Sequence, residues 1–109
     1  MKEHNMIVTT TPGVDNRPVV AYLGLVSGQA IFGANFIKDF FAGIRDVVGG
    51  RSGSYEKVLR GGREEALADM VAEARELGAD AVVGVDLDYE TIKDTMIMVT
   101  ATGTAVKLD

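Results

Sequence analysis

From Ser54 to Glu90 the chain reads SYEKVLRGGREEALADMVAEARELGADAVVGVDLDYE, and this stretch constrains the fold more than any other. Small or apolar residues recur at Tyr55, Val58, Leu59, Gly62, Ala66, Leu67, Met70, Val71, Ala74 and Leu77. That is the i, i+3, i+4, i+7 spacing that gathers one face of a helix. Glu56, Lys57, Arg60, Arg63, Glu64, Glu65, Asp69, Glu73 and Glu76 fall on the opposite face. Gly78 stands where a helix ends on a residue able to take positive φ. Beyond it, Ala81 to Leu87 is stiffened by Val82, Val83 and Val85 and reads as a strand. A long amphipathic helix feeding an apolar strand through a glycine turn predicts a helix packed on a sheet.

Upstream, Met6 to Thr10 predicts a short strand closed by the Thr11-Pro12-Gly13 turn. Val19 to Ile31 predicts a long one. Simple alternation divides it into a Val20, Tyr22, Gly24, Val26 face and a Val19, Ala21, Leu23, Leu25 face. Both are substantially apolar, so both need cover. Gly24 and Gly28 predict bulges or close backbone approaches. Asn35 caps an expected first helix over Phe36 to Val48, which Gly49-Gly50 ends. Gly61-Gly62 interrupts the long helix at a cost of about 1 kcal/mol per glycine, which predicts a neighbour packed closely against it. Glu90 to Thr95 reads as a polar connection, and Met96 to Val106 as a last strand in an antiparallel hairpin with Ala81–Tyr89.

The order is β-β-α-α-β-β. It predicts an α+β domain with a four-stranded, mainly antiparallel sheet and both helices on one face. The second face is then bare. In a chain of 109 residues, the expected cover is another copy of the chain, with Leu23 or Leu25 near the boundary.

The length matches a single domain spanning 1–109, and a hydrophobic fraction of 47% is ample for its core. A net charge of -5 without a Lys/Arg cluster argues against nucleic acid. No apolar run reaches the roughly 20 residues of a membrane span. The N-terminus MKEHNMIVTTTPGVD lacks the apolar core of a secretory signal, so a cytoplasmic location is expected. The absence of Cys removes disulfides, zinc–thiolate sites and thiol catalysis together.

GLVSGQAI in the long strand, GGRSGSYE before the long helix, ELGADAVVGVDLDYE after it and the terminal ATGTAV together resemble the YbjQ-like family of small bacterial and archaeal proteins. The resemblance runs from about Ile7 to Val106. It implies a ring-forming (dodecin/YbjQ-like) α+β subunit that assembles as a pentamer. It also implies a heavy-metal-binding label, with no assigned activity.

A heavy metal wants thiolate, imidazole or thioether ligands. The one His is His4, and Met96 and Met98 serve as core fillers as readily as ligands. Zn²⁺ or Cu²⁺ is therefore expected to bind no better than to other acidic proteins. A hard divalent cation is the more plausible metal. Asp86 and Asp88 are two apart on a strand and share a face, and copies around a ring axis could converge there. The same pair also serves simply to keep a strand end soluble. Gly50, Arg51, Ser52 and Ser54 form an anion candidate, a glycine-rich loop entering a helix whose free N–H groups attract negative charge. They equally make an ordinary helix–helix turn. The loop lacks the Lys-Ser/Thr of a Walker A motif, and it joins helix to helix, unlike a dinucleotide fingerprint. With one terminal His and no Cys, no nucleophilic triad is available. The expected function is an oligomeric binding or scaffold protein with an ion or small-anion site at subunit interfaces. The alternative is an enzyme using interface carboxylates or Arg51 on a small anionic substrate. No cofactor is implied beyond a divalent cation.

Overall fold

The computed structural model describes residues 6–33, 52–93 and 96–109, without the side chains of 52–55. The elements run β1 (Ile7–Val8), β2 (Val19–Phe32), α1 (Ser52–Glu76), β3 (Ala81–Ile92) and β4 (Met96–Leu108). The four strands form one sheet in the order β1-β3-β4-β2. β3 and β2 each pair antiparallel with β4, while β1 runs parallel to β3. This is the expected α+β, mainly antiparallel sheet. The first helix expected over 36–48 lies outside the described residues. β3 runs on through Glu90, Thr91 and Ile92, which their polarity assigns to the connection. Pairing with Met98, Ile97 and Met96 overrides that local preference.

α1 packs mainly on β2 and β4. Ala66, Met70 and Ala74 descend from it onto Val26, Val82, Val85, Val99, Ala101 and Ala105. Two glycines set the depth of that contact. A methyl group at Gly28 would overlap the Ala66 carbonyl oxygen and lie 2.5 Å from the Met70 nitrogen, so the helix backbone rests directly on the strand. At Gly62 it would lie 2.7 Å from the Phe32 ring and 2.8 Å from a Val99 methyl. The helix-breaking Gly62 thus marks close packing, whereas Gly61 is exposed.

β2 does not alternate simply. Its register with β4 shifts between Tyr22 and Gly24, where Gly24 takes φ 130°. The extra residue flips the parity. Tyr22, paired with Val106, and Leu25, paired with Thr104, consequently share the face turned away from α1. Leu23 packs against the α1-side core instead.

The chain also covers one end of the second face by itself, which alternation alone does not reveal. Ala81, Val83, Val106 and Leu108 form a second buried cluster with Ile7, Val14 and Val19 packed on it. The segment after β1 is held there by Thr9 N donating to Val82 O (3.0 Å), Val85 N to Thr9 O (3.1 Å) and Gly84 N to Thr11 O (2.9 Å).

The outer edge of β2 is closed by acids of α1. Ser27 N donates to Glu73 Oε1 at 2.8 Å and Gln29 N to Asp69 Oδ2 at 3.3 Å.

Asp80 locks the start of β3 to the end of β4. Its Oδ2 accepts from Leu108 N at 2.8 Å and its Oδ1 lies 3.7 Å from Lys107 Nζ. The Leu108 N–H, then Lys107 and Arg17, hold its carboxyl below the usual 3.8. A lowered folded-state pKa stabilises above the unfolded value and is lost as pH falls through the folded one. Asp80→Asn is therefore expected to flatten the acid side of the stability–pH curve, below about 4, in urea melts. An unchanged acid limb would refute this role.

Candidate functional site

The face of the sheet turned away from α1 carries an ordered polar band. Asp86 is opposite Thr102, which is opposite Ser27; two residues along, Asp88, Thr100 and Gln29 line up in the same way. Strands lie about 4.8 Å apart and alternate residues about 7 Å apart. The band is therefore a grid of carboxylate, hydroxyl and hydroxyl beside carboxylate, hydroxyl and amide. Apolar side chains flank it. Leu25 and Tyr22 lie on one side, 84% and 74% exposed, and Ile31 beside Met98 on the other, 54% exposed for Ile31.

The band explains why Asp86 and Asp88 occur as a pair: β3 returns to regular alternation after the register shift between Val83 and Asp86. Both are exposed and belong to one face, as their spacing predicts. Among the described residues, no three His, Cys, Asp or Glu side chains converge to hold a metal ion. One chain thus lays Asp86, Asp88 and, opposite Met98, Glu90 along one strand face beside neighbouring hydroxyls. Spaced about 7 Å apart along an extended strand, these oxygens do not close around one ion as a calcium-type site requires.

Ser52 and Ser54 lie in the first turn of α1, while Gly50 and Arg51 lie outside the described residues, as does His4. Of the two leucines expected at a boundary, Leu25 is on the open face and Leu23 is not. Met96 and Met98 are partly buried next to the fully buried Val99.

A second concavity, of about 240 Å³, lies on the other side of the sheet, between α1 and β3. Glu56, Leu59, Arg60, Arg63 and Tyr89 line it. Helical periodicity assigns Arg63 to the solvent face, but it is partly buried here. Tyr89 is 45% exposed and sits across from Val99, on the α1 side. The available signal was two arginines three apart on a helix, followed by an aromatic residue in the next strand.

A single mixed sheet with α1 on one side and a polar-banded apolar face on the other defines a class of small α+β subunit. The chain belongs to the YbjQ family, whose model, described as "Putative heavy-metal-binding", matches residues 6–109. It is 58% identical over 103 residues to a UPF0145 protein of Anoxybacillus flavithermus, covering 94% of this chain and 98% of that one. It is 56% identical over 103 residues, with the same coverage, to a UPF0145 protein of Geobacillus kaustophilus. The fold is shared with the crystal structure of a DUF74-family protein of unknown function from Pediococcus pentosaceus. The TM-score is 0.61 at 16% identity, with 95% of this chain and 98% of that one covered. Among the described residues, no helix is long and apolar enough to cross a membrane.

Proposed function

We propose that the chain works in the cytoplasm as a homo-oligomeric binding or scaffold protein. Neighbouring copies cover the apolar part of the open sheet face, and an ion or small-anion site lies where they meet. The observation that carries this reading is the exposure of Tyr22, Leu25 and Ile31 around the polar band. Large apolar side chains grouped on one face mark a surface that is covered in use. A closed ring buries the same surface on every copy without growing into a filament. The number five comes from the family resemblance.

In this arrangement Asp86 and Asp88 supply hard-oxygen ligands from each copy. A divalent cation held among several chains then gathers oxygens that a single extended strand keeps apart. The heavy-metal label of the family has no thiolate to rest on in this sequence.

Sedimentation tests the reading. The wild type is expected to run as one species several times 11.6 kDa at micromolar concentration. Leu25→Asp is expected to shift it to the monomer with its circular dichroism retained. Leu23→Asp is expected to unfold the chain instead, because that side chain packs on the core. A wild-type particle stable near 11.6 kDa would sink the oligomer.

A further inference from the structure

The groove between α1 and β3 has the chemistry of a recognition site; among the described residues Glu56, Leu59, Arg60, Arg63 and Tyr89 line it. Arg60 and Arg63 are one helical turn apart and so neighbours on the surface. Among the described residues the ion pair is Lys107 with Asp80, and neither groove arginine has a partner. Glu56, one turn before Arg60 and ideally spaced for a pair, does not make one. Arg63 is moreover partly buried. In a chain of net charge -5, two unpaired guanidiniums at one concavity are a local reversal of sign.

We propose that this groove binds a small organic phosphate monoester. Two guanidiniums match the charge of about −2 on a phosphate better than the single charge of a carboxylate, and each offers a planar fork of donors to its oxygens. Tyr89 and Leu59 form the wall against which a compact, planar body lies. Glu56, which also lines the groove, accepts a hydrogen bond from a ligand hydroxyl or amine. The volume of about 240 Å³ is below the range of drug-sized ligands, so the body is about one ring in size. The proposal places the whole site on one subunit, apart from the oligomer proposed above.

Calorimetric titration of the intact protein with phenyl phosphate, inorganic phosphate and benzoate tests the assignment. Phenyl phosphate is expected to saturate at one per chain and to bind more tightly than benzoate. Arg60→Gln and Arg63→Gln are each expected to weaken it roughly tenfold or more, and Arg75→Gln, in the last turn of α1, to leave it unchanged. Arg63→Lys, which keeps the charge, separates loss of binding from loss of fold. Tyr89→Ser is expected to weaken phenyl phosphate and not inorganic phosphate. Leu25→Asp is expected to bind phenyl phosphate as the wild type does, whatever its oligomeric state. Absence of saturable binding, equal binding of benzoate, or full binding by the Arg60→Gln/Arg63→Gln double variant would overturn the proposal.

Discussion

Gly28→Val is expected to leave the protein unable to fold, and Gly28→Ala to cost about 3 kcal/mol. The added carbon would meet backbone, the Ala66 carbonyl and the Met70 nitrogen, and not the end of a flexible side chain. Relief requires the whole of α1 to rise from β2, which would open the packing of Met70 on Val26 and Val99. In thermal melts the alanine variant is expected to lose roughly 10–20 °C in Tm. Gly61→Ala gives the contrast. That position is exposed inside α1, with nothing within 4 Å of the added methyl, and Ala is the better helix former. It is expected to stabilise by up to about 1 kcal/mol. Equal melting of Gly28→Ala and wild type would mean that α1 does not rest on this strand.

Met70→Ala is expected to cost about 2–5 kcal/mol in urea denaturation. Met70 is 0% exposed and projects from α1 into the middle of the main cluster. Truncation loses its transfer free energy and leaves a void walled by two elements whose spacing is already fixed by glycine contacts. Leu77, past the end of α1 and 46% exposed, is the control; its alanine variant is expected to fall within about 0.5 kcal/mol of wild type. A loss below 1 kcal/mol at Met70 would show that the core closes around the gap.

The helix, its glycine stop and both partners of the β3–β4 hairpin were legible because each is encoded within a few residues. Val82 and Val85 next to Gly78 need no distant partner to be recognised as a strand after a helix end. The roles of Gly28 and Gly62 were half legible. A glycine in the wrong place announces a neighbour without naming it, and the neighbours are 38 or more residues away in Ala66 and 30 away in Phe32. The parity flip in β2 was hidden, because a bulge is defined by what the opposite strand does. So was the self-cover of the second face by Ile7, Val14 and Val19, which depends on a parallel pairing between distant segments. The same limit applies to the site. Alternation placed Asp86 and Asp88 together, but only the strand register sets Thr100, Thr102, Ser27 and Gln29 beside them. Periodicity gave Arg60 and Arg63 to solvent, and the groove exists because Tyr89 arrives opposite them from β3.

The two acids that α1 lays along β2 have a consequence for how copies can meet. A strand joining a sheet edge needs that edge's N–H groups vacant, and at Ser27 and Gln29 they are occupied by Glu73 and Asp69. An arriving backbone must evict both carboxylates and pass their negative charge. At the opposite margin β1 pairs with β3 only at Ala81 and Val82, and Thr9 and Thr11 carry backbone bonds on to Gly84 and Val85; among the described residues the margin from Asp86 to Glu90 is the edge of β3 itself. A strand arriving from outside is thus turned away from the middle of β2 and finds its open template on β3, along the row that carries Asp86 and Asp88.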